Sequence, residues 1–272
     1  MTDSAPFSPA GDRHFDGLAE KFAGSLYGGS RGALRLTLLD GLLPKMLELK
    51  GQPLLDVGAG LGQMSGWFAA RGHAVTLAEP SADMLDAARQ ALGALPDGQA
   101  TFLQVPLQRL PEQAPGPWRL IVCHAVLEWL AEPRQALATL ARLLAPGGQL
   151  SLMVFNRDAL RFSNIVKGNL DKALADRLAG TGQRQRLTPI TPLSHSEIAA
   201  WSRECGLRVD GVAGIRVFHD YLRERDPQGK TFDKIVTLEK RHCQAEPYWR
   251  LGRYLLYTLT KPADPTAYEE GA

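Results

Sequence analysis

Cysteine is scarce in this 272-residue chain, which contains only Cys123, Cys205 and Cys243. No two of them form a Cys-x-x-Cys pair, the spacing typical of zinc sites and redox motifs. A disulfide framework and a structural zinc site are therefore disfavoured, and we expect no bound metal. Three reduced thiols fit a reducing compartment.

Long hydrophobic runs are also missing. Apolar stretches such as Leu120–Val122 fall far short of the roughly 20 residues that a membrane-spanning helix needs. Residues 1–13 contain no apolar segment of the kind found in secretion signals. We therefore expect a cytoplasmic protein that has no membrane partner.

The charge is nearly balanced over the whole chain, which has 31 Lys and Arg against 29 Asp and Glu. Its distribution is uneven, because residues 157–186 hold seven basic and three acidic residues, and residues 216–253 hold nine basic and six acidic residues. Two interpretations stay open. These segments are either solvated helix faces or a basic surface for a polyanion such as a nucleic acid.

Short β-rich runs alternate with helical segments through the middle of the chain. The strand candidates are 53–57, 73–78, 100–105, 119–123 and 148–154, and the helix candidates between them are 62–70, 81–94 and 133–144. This alternation predicts βαβ units and a mostly parallel α/β sheet with helices on both faces. Further strands are predicted within 207–218 and at 254–260.

Two segments flank this predicted core. Residues 14–49 are predicted to form an N-terminal helical cap, and residues 156–194, which are basic and contain Pro189 and Pro192, an insertion after the fifth strand. Ligands of open α/β sheets bind at the carboxyl ends of the strands, so this insertion is expected to lie on the substrate side. We expect one domain over 14–262, between flexible ends at 1–13 and 263–272.

The strongest motif is the run Leu54-Leu55-Asp56-Val57-Gly58-Ala59-Gly60-Leu61-Gly62. An apolar strand is followed by alternating glycines that open a helix, and glycine lets the backbone approach a ligand closely. A nicotinamide-binding loop would read Gly-x-Gly-x-x-Gly, but position 63 is Gln, and the Gly-Lys-Ser/Thr of a P-loop is absent. The motif indicates a nucleotide-like ligand of another kind.

An acidic residue, Glu79, ends the second predicted strand about 20 residues after the glycine loop. An acid at this position is suited to bind the ribose hydroxyls of an adenosine ligand. Glu79 alone is equally consistent with a solvated strand end. Its combination with the glycine loop favours the ribose role.

These motifs resemble those of the class I S-adenosylmethionine-dependent methyltransferases. The glycine loop, the run Glu79–Met84 and the turn Leu143–Gly148 match three family motifs in order, over about residues 50–155. The resemblance implies a Rossmann-like fold, S-adenosylmethionine as cofactor and methyl transfer as the activity. One departure is Pro106-Leu107-Gln108, where many members carry an Asp-Ala pair near the adenine.

A narrower resemblance, to the bacterial tRNA 5-carboxymethoxyuridine methyltransferases, extends over nearly the whole chain. It rests on Phe15–Arg35, His124–Trp129, Val217–Arg223 and Glu246–Tyr254. It implies tRNA as partner and methyl esterification of a modified wobble uridine. The cofactor-binding residues implied by the two resemblances are Arg35, Asp56, Gly58, Ala59, Glu79, Leu107, Gln108 and His124.

The chain also lacks the residues that other methyl acceptors require. An adenine-amine enzyme usually shows Asn-Pro-Pro-Tyr after the fourth strand, and a pyrimidine C5 enzyme uses a cysteine nucleophile after Pro; neither occurs. A carboxylate acceptor is already ionised at neutral pH and needs no general base, but it needs a cation to orient it. We expect that clamp at Arg223 or Arg216, on either side of the run His219–Tyr221, and favour Arg223 because it closes the stretch Phe218–Arg223 that resembles the tRNA enzymes.

Other functions stay open at this point. A methyltransferase for a small or carrier-bound acid would share every motif above and would not need the basic segments. A methyltransferase-like RNA-binding subunit without activity would not need the glycine loop or Glu79. A nicotinamide oxidoreductase is disfavoured by the glycine spacing.

Overall fold

The computed structural model describes residues 11–13, 17, 24, 28–180 and 189–263. Seven strands are found within them. They are β1 (Leu54–Val57), β2 (Val75–Ala78), β3 (Ala100–Leu103), β4 (Trp118–His124), β5 (Leu144–Phe155), β6 (Arg208–Ile215) and β7 (Tyr254–Thr260). They form one sheet in the order β3-β2-β1-β4-β5-β7-β6.

The first five strands are parallel, and β1 lies between β2 and β4. β7 is inserted between β5 and β6 and runs antiparallel to both. The carboxyl ends of β1, β2, β4 and β5 therefore lie along one edge of the sheet. The mostly parallel α/β sheet predicted from the sequence is confirmed.

Both faces of the sheet are buried. Leu55, Ile121 and Leu150 belong to the core on one face, and their neighbours Leu54 and Leu120 belong to the core on the other. Successive side chains in a strand point to opposite faces, so a strand covered on both sides is apolar along most of its length. This explains Leu54, Leu55 and Val57 in β1 and the run Leu120–Cys123 in β4, while the buried carboxylate of β1, Asp56, is hydrogen-bonded to Ser65.

Helices cover these two faces. They are α1 (Gly29–Met46), α2 (Gln63–Ala69), α3 (Ala82–Ala91), α4 (Leu110–Gln113), α5 (Pro133–Leu143), α6 (Arg157–Val166), α7 (Leu170–Leu174), α8 (His195–Glu204) and α9 (Gly229–His242). Short 3₁₀ turns at Leu107–Arg109, Leu127–Trp129, His219–Tyr221 and Tyr248–Leu251 connect several of them.

Helix α1 is the described part of the predicted N-terminal cap. Its leucines at 34, 38, 39, 42 and 43 are buried, in the three- and four-residue spacing of a helix face. This face packs against α9 and β6. Arg35 is also buried, at 3% exposure, although it stands among these leucines. A charged group buried in this way needs a compensating partner.

The segment after β5 contains α6 and α7 and returns to the sheet at Leu193. The Leu193 N–H donates to the Phe155 carbonyl, and the Asn156 side chain donates to the carbonyls of Arg250 and Gly252, which anchors the start of α6. Residues 181–188, including Arg184 and Arg186, lie outside the described residues. The division into one domain over 14–262 and flexible ends at 1–13 and 263–272 stays a prediction, because most residues of both ends also lie outside the described residues.

The described ranges contain neither a candidate membrane-spanning helix nor a candidate metal site. None of their helices is both long and apolar enough to cross a bilayer. In the same part of the chain, no group of three or more His, Cys, Asp and Glu side chains is placed to hold a metal ion.

Candidate active site

A cavity opens at the carboxyl edge of the sheet. Ligands of open α/β sheets bind at this edge. The residues that line it are Arg13, Arg35, Val57, Gly58, Ala59, Gly60, Glu79, Pro80, Met84, Val105, Pro106, Leu107, Gln108, His124, Ala125, Val126, Trp129 and Leu130. Seven of the eight residues expected to bind the cofactor lie among them.

The glycine loop forms one wall of this cavity. Gly58, Gly60 and Gly62 have φ angles of 65°, 55° and 78°, a left-handed conformation that costs glycine little. A Cβ on Gly58 would also lie 2.4 Å from the Val126 side chain. The loop therefore needs glycine for its backbone conformation and, at position 58, for space.

Glu79 lies beneath the loop at the end of β2. One of its carboxylate oxygens accepts from the Gly60 N–H at 2.9 Å, and the other accepts from the Ser81 N–H at 3.0 Å. Each carboxylate oxygen can accept more than one hydrogen bond. These contacts hold the carboxylate rigidly at the cavity wall.

The part of the cavity formed by the turn after β3 is mostly apolar. Leu107 and Gln108 belong to the 3₁₀ turn after β3, where Leu107 is buried beside Met84 and Val105. The Gln108 amide donates to the Asp12 carboxylate at 2.7 Å, which ties the N-terminal segment to this end. An apolar pocket edged by one amide suits a flat, aromatic base.

Arg35 and His124 lie at the end of the cavity nearest β4 and α1. The His124 Nε2 and the Ser151 hydroxyl are 2.8 Å apart. Burial, and then the positive charge of Arg35, lower the pKa of His124 to about 3. His124 is therefore neutral at physiological pH, and Arg35 is the cation at this end of the cavity.

Asp56 does not line the cavity. It is buried behind the glycine loop, where its carboxylate accepts from the Ser65 hydroxyl at 2.6 Å and joins β1 to α2. Burial raises its pKa to about 6, against the opposing effect of the Ser65 hydrogen bonds. Asp56 therefore stabilises the segment behind the glycine loop, whereas the resemblances implied that it binds the cofactor.

Some lining residues were not expected from the sequence. Arg13 lies 5.5 Å from the ring centre of Trp129, and both residues line the cavity. Trp129 ends the run His124–Trp129, so the resemblance carried by that run pointed to it. No pattern near Arg13 signals its position, because the contact joins residues more than a hundred positions apart.

A second group of charges lies next to this cavity. The buried carboxylate of Asp220 is surrounded by the guanidinium groups of Arg216 at 2.8 Å, Arg253 at 3.8 Å and Arg31 at 3.9 Å. We call Arg31, Arg216 and Arg253 the arginine cluster. Three cations face one carboxylate there, so the cluster has an excess of positive charge.

Tyr254 connects the arginine cluster to the cavity. The guanidinium of Arg35, which lines the cavity, lies 4.7 Å from the centre of the Tyr254 ring, and that of Arg216 lies 5.5 Å from it. Burial raises the pKa of Asp220, but the neighbouring arginines outweigh burial and hold this pKa below its usual value. Asp220 is therefore ionised and neutralises only part of the cluster.

The loop that carries Arg216 is held by a buried carboxylate from α9. Glu239 accepts hydrogen bonds from the N–H groups of Val217, Phe218 and His219 at 2.7–2.9 Å. Arg216 itself has a φ of 63°, which is unusual for a residue other than glycine. Glu239 therefore stabilises an otherwise unfavourable backbone at the arginine cluster.

The two clamp candidates differ in their surroundings. Arg216 is buried within the arginine cluster, whereas Arg223 is exposed on the surface beyond Tyr221. The geometry favours Arg216, together with Arg253 and Arg31, which the sequence did not single out.

Comparisons with known proteins agree with this geometry. A family model described as a methyltransferase domain matches residues 55–150. The chain is 41% identical to the tRNA 5-carboxymethoxyuridine methyltransferase of Escherichia coli K12 over 92% of its own length and 97% of that protein. It is 32% identical to a ubiquinone biosynthesis O-methyltransferase of Xylella fastidiosa, over 64% of this chain and 68% of the relative.

Solved structures share the fold at lower identity. An S-adenosylmethionine-dependent methyltransferase from Mesorhizobium loti superimposes with a TM-score of 0.55 at 17% identity, covering 85% of this chain and 100% of the other. A [4+2]-cyclase superimposes with a TM-score of 0.57 at 19% identity, covering 86% and 82%. Because the cyclase has the same fold, the fold alone does not establish methyl transfer.

The fold, the glycine loop and the family match together define a class I S-adenosylmethionine-dependent methyltransferase. Within that class, the chain belongs to the family of the tRNA 5-carboxymethoxyuridine methyltransferases, given its 41% identity to the Escherichia coli member over nearly the full length of both chains.

Proposed function

We propose that this enzyme transfers a methyl group from S-adenosylmethionine to the carboxylate of 5-carboxymethoxyuridine in tRNA, forming a methyl ester. The observation that carries the proposal is the arginine cluster beside the cofactor cavity. Its excess of positive charge, which Asp220 neutralises only in part, suits an anionic acceptor, and Arg binds a carboxylate through two parallel hydrogen bonds.

The cavity residues fit the proposed cofactor. Glu79 is placed to accept from the ribose hydroxyls, and the apolar end with Leu107 and Gln108 suits the adenine. Arg35 is the buried cation for the methionine carboxylate, with neutral His124 beside it. When bound, S-adenosylmethionine supplies an electrophilic methyl group on its sulfonium.

The protein has little acid–base chemistry to perform. A carboxyl group with an ordinary pKa near 4 is ionised at neutral pH and is already a nucleophile, so no base is required. The neutral His124 and the apolar wall exclude water, and the arginine cluster holds the acceptor in one orientation. Positioning of this kind accounts for much of the rate of a displacement reaction.

The test uses methyl-labelled S-adenosylmethionine and tRNA that carries 5-carboxymethoxyuridine. We expect the parent to form the methyl ester, identified by mass spectrometry of the labelled nucleoside. Arg216→Ala should lose turnover by at least about a hundredfold, since a lost ionic partner costs on the order of 3 kcal/mol. Arg223→Ala, an exposed arginine from the same loop region, should behave like the parent.

Cofactor binding is measured separately by calorimetry. Glu79→Ala should weaken it by about 1.5–3 kcal/mol, the value of a hydrogen bond to a charged group. Arg216→Ala should leave it unchanged. Equal turnover of Arg216→Ala and the parent would contradict the clamp, and label in a small acid but never in tRNA would favour the small-acid alternative.

A further inference from the structure

An exposed apolar surface lies on the two helices that follow β5. The exposed fractions are 41% for Phe162, 46% for Ile165, 58% for Val166, 54% for Leu170 and 85% for Leu174. In α6, positions 162, 165 and 166 share one helix face. Clustered exposed apolar residues mark an interaction surface, whereas isolated ones need no explanation.

The ring of Phe162 is fixed in place. It packs edge-on against the ring of Tyr221, with 5.2 Å between the ring centres, and the Tyr221 hydroxyl donates to the Leu251 carbonyl at 2.8 Å. Phe162 is thus held on one side by Tyr221 and remains two-fifths exposed. A rigid, exposed aromatic ring is suited to stack on another flat ring with little loss of conformational freedom.

The inner side of the same helix reaches the arginine cluster. The Ser163 hydroxyl and the Arg253 guanidinium are 3.5 Å apart, and Tyr221 directly follows Asp220 in the chain. Phe162, Ile165 and Val166 form what we call the apolar ledge. It therefore lies beside the proposed position of the acceptor carboxylate.

Cations border the apolar ledge. Partial burial lowers the pKa of Lys167, and the nearby charges of Arg253, Arg225 and Arg31 lower it further, with Asp220 acting in the opposite direction. Three arginines thus lie within electrostatic reach of Lys167, at the end of α6. A surface that combines an aromatic ring, apolar side chains and an excess of positive charge is complementary to single-stranded nucleic acid.

We propose that the apolar ledge binds an unstacked base of the RNA next to the modified uridine, with Phe162 stacking on that base and Lys167 and Arg225 facing the phosphates. The inference rests on the proposed function, because it takes the acceptor to be a nucleotide within RNA. It adds a docking surface for the neighbouring nucleotide, separate from the cofactor cavity and the arginine cluster.

The experiment measures direct binding of a fluorescein-labelled anticodon stem-loop, with and without 5-carboxymethoxyuridine, and also KM and kcat with the modified stem-loop. Phe162→Ala should weaken binding and raise KM by about tenfold, the loss of one base–aromatic stack. Phe162→Trp should bind like the parent. Leu238→Ala, which truncates an equally exposed residue on α9, is the matched control.

Unchanged kcat and unchanged S-adenosylmethionine affinity in Phe162→Ala would support a docking role. Parent-like RNA binding by Phe162→Ala would overturn the proposal. So would a parent dimer that Phe162→Ala converts to monomer while RNA binding stays the same, because the surface would then serve self-association. If the parent binds the stem-loop but methylates no RNA, the proposed function fails while the binding data still test the ledge.

Discussion

At the scale of single residues, burial decides which charges are available for chemistry. His124 and Arg35 lie at the same end of the cavity, yet burial and Arg35 keep His124 neutral while Arg35 remains the cation. Asp220 is buried too, but its three arginines hold it ionised. Burial favours the neutral form of both groups. It prevails at His124 but not at Asp220, because only Asp220 has charges of opposite sign within reach.

Glu128 provides the pH-dependent prediction at this scale. It is buried, one of its oxygens accepts from the Phe155 N–H at 3.2 Å, and burial raises its pKa from 4.5 to about 8. Between these two values the folded protein binds more protons than the unfolded chain. Stability should therefore fall as the pH rises from about 5 to 8.

Glu128→Gln keeps the acceptor for Phe155 and removes the titration. We expect it to exceed the parent in stability at pH 8 by a few kcal/mol, a difference on the order of the pKa shift at 1.36 kcal/mol per unit. The difference should shrink towards pH 5. Urea unfolding of both proteins at several pH values measures it, and a difference that does not change with pH would contradict a raised pKa for Glu128.

At the scale of elements, the site is made by turns that leave the strands. The loop after β1 brings Gly58 against Val126 from the turn after β4, so two segments almost seventy residues apart share one wall. The loop after β6 depends in the same way on Glu239 from α9, which binds three successive N–H groups. The first contact leaves no room for a side chain at position 58, and the second holds its loop by three hydrogen bonds.

Gly58→Ala tests the first of these contacts. The new Cβ would require a positive φ at alanine and would lie 2.4 Å from Val126. We expect a loss of stability on the order of 1–3 kcal/mol, together with weaker cofactor binding because Val126 lines the cavity. Gly98→Ala, at a positive φ but with open space around it, is the control that separates strain from the clash. Equal effects of the two substitutions would mean that the contact with Val126 is unimportant.

At the scale of the whole molecule, function depends on where charge accumulates. The chain has a formal net charge of only +2, but the arginine cluster and Lys167 concentrate positive charge at the carboxyl edge of the sheet. The basic residues of 157–186 extend this region in the sequence, although Arg184 and Arg186 lie outside the described residues. A concentrated field attracts a polyanion even when the net charge is small.

The salt dependence of tRNA binding follows from this distribution. The logarithm of the affinity should fall linearly with the logarithm of the salt concentration, by about 0.7–0.9 for each phosphate neutralised. Replacing Arg184 and Arg186 together by alanine should make the slope shallower. Lys50→Ala, just before β1 at the amino edge of the sheet, should keep the parent slope. A parent affinity that is independent of salt would contradict a tRNA interface.

The class of fold and most residues of the cavity were predictable from the sequence. Alternating apolar strands and helices, the glycine loop and Glu79 are local patterns, and seven of the eight residues expected from the two resemblances line one cavity. Local patterns succeed there because the parallel strands bring successive loops to the same edge. The eighth, Asp56, does not line the cavity and contacts Ser65 instead, because strand periodicity alone does not tell which neighbour a buried carboxylate meets.

The arginine cluster, where we propose that the acceptor carboxylate binds, could not be predicted from the sequence. Arg31, Arg216 and Arg253 are spread over more than two hundred positions, and they meet at Asp220 because β7 returns antiparallel between β5 and β6. The sequence favours Arg223 over Arg216, because it does not show how the loop packs against Glu239 and Tyr254, and this packing sets the exposure of each arginine. The sequence shows directly which residues carry a charge. Their burial and their neighbours depend on contacts between distant parts of the chain.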